Sequence, residues 1–208
     1  MASLYFKYAA MNSGKSTQLL QAHYNYFERG MRAIAFTAKL DDRYGVGKIS
    51  ARIGLDLPAF LYAPETDIFT TVEEAIAEEK IHVILIDEAQ FLTEDQVLQA
   101  ARIVDDLQIP VMAYGLKTDF MGKLFEGSEA LVRLADNLEE IKTICWCGKK
   151  ATQTARIDEN GTVVRSGDQV SIGGNDLYVS LCRKHYHQGI SKPLLNAEEV
   201  EHRRDQVA

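Results

Sequence analysis

The chain has 208 residues, 46% hydrophobic and 25% charged, the balance of a globular protein long enough to bury a real core. Its net charge of -7 argues against broad binding to nucleic acid, which needs a concentrated positive surface, but leaves room for a small nucleotide held by a few local donors. No apolar stretch approaches the ~18 residues of a membrane span, MASLYFKYAAMN lacks the basic and apolar regions of a signal peptide, and three cysteines make no disulfide scaffold. A cytoplasmic chain that engages neither membrane nor nucleic acid is expected.

In chain order, Leu4–Tyr8 is a short aromatic and apolar run that predicts a strand. Ser16–Arg29 predicts a helix, with Leu19, Leu20, His23, Tyr24 and Phe27 on neighbouring faces and Gly30 closing it. Ala33–Thr37 is a second strand, Thr70–Glu79 a helix, and Ile81–Ile86 a buried strand by its near-continuous apolar character. Glu94–Leu107 is helical and Pro110–Tyr114 returns as a strand. This alternation implies right-handed crossovers and a parallel α/β sheet covered on both faces.

The character changes near Ile144. Short strands are expected over Thr152–Asp158 and Thr162–Arg165, joined through Asn160-Gly161, a favoured hairpin turn. Ser166–Asn175 reads as a loop, and the tail from Ser191 is polar and mixed in charge. Neither internal repeats nor low-complexity blocks are visible. The expected organisation is an α/β domain over residues 1–144, a small β-rich appendage over 145–190 and a polar tail over 191–208.

Between the first strand and the first helix lies Ala9-Ala10-Met11-Asn12-Ser13-Gly14-Lys15-Ser16, the strand–loop–helix setting that gives a Walker A sequence its meaning. Successive backbone N–H groups and the helix N-terminus would converge on the phosphates of ATP. Lys15 would reach the terminal phosphates, and Ser16 would offer its hydroxyl to Mg²⁺. Ala9 departs from the pattern, standing where glycine usually opens the loop.

The buried strand ends in Asp87-Glu88-Ala89-Gln90. Ligands of parallel α/β sheets bind at the carboxyl ends of strands, so these residues should face the same crevice as the loop. Asp87 suits the Mg²⁺ site, with Ala89 and Gln90 in the same nucleotide-contacting turn, and Glu88 is left for proton chemistry. The nucleophile it serves stays open between water and a substrate hydroxyl.

All three cysteines fall in two clusters, Cys145-Trp146-Cys147-Gly148 and Cys182-Arg183-Lys184-His185. Cys145, Cys147, Cys182 and His185 form a ligand set suited to a closed, structural Zn²⁺ site, although Cys-x-Cys is tighter than the usual spacing. His187 is then expected to be an ordinary surface histidine. The alternative is a set of unpaired cytosolic thiols.

Together AAMNSGKST, DDRYG at Asp41–Gly45, LIDEAQF, YGLKTDF at Tyr114–Phe120, CWCG and IGGNDLYVSLCRKH at Ile172–His185 resemble the type II thymidine kinases, in the family's order from about residue 3 to residue 190. The resemblance implies an ATP:thymidine 5′-phosphotransferase with a RecA-like domain and a zinc-bound lasso domain. It implies Glu88 as the base for the 5′-hydroxyl, with Asp41, Asp42 and Arg43 near the phosphates and Arg43 stabilising charge during transfer. Gln169, Val170, Ser171, Ile172, Gly173 and Tyr178 would close over the base as a lasso, and Phe120 would pack on the nucleoside. A homotetramer and feedback inhibition by dTTP are further implications. Two other classes stand beside it: a RecA-like ATPase coupled to a partner, and a zinc-ribbon module that binds nucleic acid.

Overall fold

The computed structural model describes residues 1–41, 45–51, 54–169 and 177–192. Its centre is a six-stranded parallel sheet. In chain order the strands are β1 (Leu4–Ala9), β2 (Ala33–Ala38), a peripheral antiparallel hairpin β3 (Lys48–Ser50) and β4 (Asp56–Pro58), then β5 (Phe60–Tyr62), β6 (Val83–Ile86), β7 (Val111–Leu116) and β8 (Asn137–Glu140). The order across the sheet is β5-β2-β6-β7-β1-β8, with every pairing parallel. One strand, β7, thus separates the strand that enters the Walker A loop from the strand that ends in Asp87 and Glu88, the RecA-like arrangement expected from the sequence.

The period of two along each strand sorts the core onto two faces. Ile84 and Ile86 of β6, with Leu4 and Phe6 of β1, pack against helices α2 (Ile68–Glu78), α3 (Glu94–Leu107) and α4 (Glu126–Leu134). Val83 and Leu85 point the other way, into a second cluster with Leu19 and Leu20 of α1 (Lys15–Phe27) and Ile49 of the hairpin. Both faces are covered, as the apolar run of β6 requires.

Helix ends follow local chemistry. In α1 the Gly30 N–H bonds to Phe27 and the Met31 N–H to Tyr26, with Gly30 at φ 67°, so the glycine closes the helix as a Schellman motif. Asp67 caps α2 by accepting the Thr70 N–H at 2.9 Å. Thr93 and Gln96 form a reciprocal capping box on α3, whose bounds match the sequence expectation.

After β8 the chain leaves the sheet. β9 (Thr143–Ile144) and β10 (Lys150–Ala151) form a small hairpin, and β11 (Gln153–Ile157), β12 (Val163–Val164) and β13 (Tyr178–Leu181) an antiparallel sheet ordered β12-β11-β13. The β11–β12 turn is a three-residue loop, because the Asp158 N–H meets the Thr162 carbonyl and Gly161 alone takes the left-handed conformation. Asn160 and Gly161 do not form a two-residue turn. Helix α5 (Arg183–Gln188) follows, a short element within the segment expected to be β-rich.

Candidate active site and metal centre

Ala9 is the last residue of β1 and is buried in the α1-side core with Leu19 and Tyr114. Its Cβ is therefore directed into packing, and a methyl group is tolerated where the usual loop has glycine. Beyond it the chain turns through two left-handed residues, Asn12 at φ 57° and Gly14 at φ 80°. Asparagine is among the few side chains that accept this conformation, and glycine enters it freely. The turn delivers Lys15 to the start of α1, where it is buried with its Nζ 3.4 Å from the Ala10 carbonyl across the loop. Ser13 Oγ is the one buried side-chain polar atom among the described residues without a hydrogen-bond partner. An orphaned buried hydroxyl is costly, and a loop built to receive phosphate oxygens accounts for it.

Asp87 continues the Val83, Leu85 alternation and so emerges on the α1 side of the sheet. Ser16 Oγ donates to its Oδ2 at 3.0 Å, joining the two oxygen donors expected to hold Mg²⁺. Burial and the neighbouring Glu88 carboxylate raise the Asp87 pKa to about 7, against the opposing effects of Ser16, the Glu88 N–H and Lys15. A divalent cation would relieve that burial penalty, so the pair fits the metal.

Glu88 sits at φ 52° and ψ 36°, a left-handed conformation that costs a side-chain-bearing residue about 1–2 kcal/mol. It is held there from both sides. Its N–H donates to Asp87 Oδ1 at 3.0 Å and its carbonyl accepts the buried Tyr62 hydroxyl at 2.8 Å. Burial and the charges of Glu88, Asp87 and Asp41 push the Tyr62 phenol well above its usual pKa, so it remains a donor. The carboxylate is fixed as well, because Gln90 Nε2 donates to Glu88 Oε2 at 2.6 Å. Gln90 itself is 2% exposed and accepts the Leu116 N–H from β7 at 2.9 Å.

Two glycines make this turn possible. A Cβ on Gly115 would stand 3.0 Å from Gln90 Oε1, and one on Gly127 would meet the Ala89 and Leu92 carbonyls at 2.6 Å. Helix α4 can therefore pack against the Ala89–Phe91 turn only through a bare backbone.

Beyond β7, Asp119 Oδ1 takes the Met121 and Lys123 N–H groups, and its Oδ2 takes Gln169 Nε2 at 3.0 Å. The Phe120 ring is buried beneath the Arg156 guanidinium, 3.9 Å from its centre. Arg156 also donates to the Ser166 and Asp168 carbonyls, anchoring the chain as it runs toward Gln169. Tyr178 is buried at the start of β13. Asp42, Arg43, Val170, Ser171, Ile172 and Gly173, named from the sequence, lie outside the described residues.

Cys145, Cys147, Cys182 and His185 converge, with all four ligand atoms within 4.8 Å of one another and no disulfide among them. The hairpin β9–β10 carries Cys145 and Cys147 around a tight turn at Gly148, φ 80°. Cys182 precedes α5, so His185 returns one turn later on the same side. Cys145 Sγ lies 3.4 Å from His185 Nδ1, and Cys147 Sγ lies 4.0 Å from Cys182 Sγ. A tetrahedral zinc ion requires edges of ~3.6 Å for sulfur–nitrogen and ~3.8 Å for sulfur–sulfur, so the cage could hold zinc with no open position. Trp146, flanked by two of the cysteines, stacks on His185 at 4.1 Å and fixes its ring.

Gln90, named from the sequence as a nucleotide contact, directs its amide to Glu88 and Leu116. Sequence reasoning gave no role to Tyr62, Asp119 or Arg156. Asp119 lies within the YGLKTDF segment without a role of its own there, whereas Tyr62 and Arg156 carry no motif, and Arg156 reads as an alternating polar residue.

The strand–loop–helix that carries Lys15, with Ser16 joined to Asp87 at the same edge of the sheet, places the chain among P-loop nucleotide-binding proteins. The family model for thymidine kinase matches residues 2–186, and the chain belongs to that family. It is accordingly an enzyme of the phosphotransferase class. A thymidine kinase of Aliivibrio fischeri is 56% identical over 192 residues, 92% of this chain and 100% of that one. A thymidine kinase of Salmonella typhimurium is 52% identical over 203 residues, 98% of this chain and 99% of that one. Among solved structures, Pif1 helicase from Candida albicans overlaps 69% of this chain and 36% of its own length, with a TM-score of 0.41 and 14% identity. Among the described residues no helix is long and apolar enough to cross a membrane.

Proposed function

We propose that the chain transfers the γ-phosphoryl group of ATP to the 5′-hydroxyl of thymidine, with Glu88 as the base that receives the hydroxyl proton. The observation that carries this reading is the fixation of Glu88, whose backbone is held in a left-handed conformation by Asp87 and Tyr62 while Gln90 aims its carboxylate. Strain maintained on both sides of a carboxylate, beside a phosphate loop, is what a positioned base requires. Family membership selects a nucleoside hydroxyl over water as the acceptor.

In this reading Lys15 and the loop N–H groups from Asn12 to Ser16 hold the phosphates, while Ser16 and Asp87 hold Mg²⁺. When bound, the cation neutralises charge on the transferring group. Glu88 orients the hydroxyl for in-line attack and takes its proton. A loose transition state asks little of the base in proton affinity, so positioning supplies most of the rate. Asp41, Asp42 and Arg43 flank the phosphates. Phe120, Tyr178 and the segment Gln169, Val170, Ser171, Ile172, Gly173 enclose the nucleoside. Cys145, Cys147, Cys182 and His185 would hold a structural zinc that reinforces the small buried cluster of the appendage. A division at about residue 144 and a cytoplasmic setting, both read from the sequence, complete the proposal, together with a homotetramer and feedback by dTTP, which rest on the family resemblance.

The test is transfer of labelled γ-phosphate to thymidine, to water and to single-stranded DNA in parallel. Thymidine should be the acceptor, and label appearing only in inorganic phosphate would refute the kinase reading. Glu88→Gln should retain ATP binding and lose about 10²-fold or more in kcat.

A further inference from the structure

The appendage does more than stand beside the phosphate loop. Thr154 Oγ1, on β11, accepts the Met11 N–H at 3.1 Å, and Ser180 Oγ, on β13, donates to the Met11 carbonyl. Thr154 and Ser180 are direct cross-strand partners, so their hydroxyls stand together on one face of the small sheet. Between them they satisfy both backbone polar groups of one residue in the Walker A loop. Nothing comparable reaches that residue from its own domain in the hydrogen bonds described.

Met11 immediately precedes Asn12, the left-handed residue that starts the turn toward Gly14 and Lys15. Orienting the Met11 backbone therefore sets the direction in which the following N–H groups leave the loop. The Met11 N–H is engaged by Thr154, and the phosphate donors are those that follow it. The clamp is also tied to the metal cage. Ser180 is two residues from Cys182, and Ala155 and Leu181 of the same two strands share a buried cluster with Cys145 and Cys182.

We propose that Thr154 and Ser180 are positioning residues for the phosphate cradle, holding Met11 so that ATP affinity depends on the order of the appendage. The proposal rests on the nucleotide site, not on thymidine as the acceptor. A pre-ordered loop binds its ligand without the entropy cost of ordering it, and that cost appears in affinity when the clamp is removed.

The experiment compares Thr154→Val and Ser180→Ala with Thr154→Ser, which keeps the accepting hydroxyl. Affinity for Mg²⁺–ATP is measured by calorimetry on protein shown to retain zinc. Trp146, the only tryptophan of the chain, stacks on His185, so its emission verifies that the metal centre is intact in each variant. Thr154→Val and Ser180→Ala should each weaken ATP binding about ten-fold, the scale of one lost hydrogen bond. The KM for ATP should rise in parallel while kcat at saturating ATP stays within about two-fold, the pattern of lost ground-state binding. Thr154→Ser should restore the parent affinity.

Hydrogen exchange at the Met11 amide gives a measure independent of catalysis, protected in the parent and in Thr154→Ser and unprotected in Thr154→Val. Unchanged ATP affinity in Ser180→Ala, or unchanged Met11 protection in Thr154→Val, overturns the proposal. If ATP binding responds as stated but thymidine is not phosphorylated, the acceptor reading fails and the clamp stands.

Discussion

Replacing Gln90 by leucine, which has similar bulk and no amide, tests whether the base works only when aimed. Gln90 is 2% exposed and makes two bonds, one from its Nε2 to the Glu88 carboxylate and one to its Oε1 from the Leu116 N–H. Leucine leaves the Leu116 N–H buried without a partner, at a cost of about 1–3 kcal/mol. In a chain of 208 residues that lowers Tm by roughly 2–12 °C, at about 2–4 °C per kcal/mol. The second loss is functional. Glu88 keeps its backbone anchors but loses the Gln90 bond that aims its carboxylate, and misplacing a catalytic group by about 1 Å costs on the order of 10²-fold. The expected signature is a kcat reduced by about 10- to 100-fold with ATP affinity unchanged, measured well below the lowered Tm. Steady-state kinetics with both substrates, beside calorimetry with ATP alone, separates the two effects. A kcat within about two-fold of the parent would refute the role given to Gln90 and weaken that given to Glu88.

Other outcomes follow from the same packing. Gly127→Ala should destabilise the fold by about 1–3 kcal/mol or more and reduce kcat, because its Cβ would meet two carbonyls of the Glu88-bearing turn at 2.6 Å; denaturant titration alongside kinetics checks both. Metal analysis should give about one zinc per chain, and Cys182→Ser should lose it together with the Trp146 emission of the parent; full activity in zinc-free protein would contradict the structural role. Asp67→Ala should cost about 1 kcal/mol at neutral pH through the lost cap of α2. The Thr70 N–H lowers the Asp67 pKa, so the charged part of that contribution is complete above the ordinary carboxylate range and fades as pH falls through the lowered value. Thermal melts of parent and variant should accordingly converge in acid.

Much of the fold was legible because its signals are local. The apolar run of β6, the capping box of α3 and the Schellman glycine of α1 are written within a few residues of where they act, and each element stands where the pattern put it. Elements without such signals escaped. Helix α4 begins after Phe125, which gives it no side-chain cap. Strand β8 is largely polar and is a strand because it pairs with β1. Helix α5 has only six residues, too few to persist alone.

The candidate site divides in the same way. Lys15, Ser16, Asp87, Glu88 and the four side chains of the candidate metal cage belong to short motifs whose chemistry can be read from residue type and spacing. Tertiary structure decided what holds them. Tyr62 reaches the Glu88 carbonyl from 26 residues away, and Thr154 and Ser180 reach Met11 from 143 and 169 residues away. A backbone carbonyl looks alike at every position in a sequence, so which one receives a distant hydroxyl is set only when the strands pack. By itself the sequence determined which groups could do chemistry on a phosphate; the packing of the sheet and its appendage decided how they are aimed.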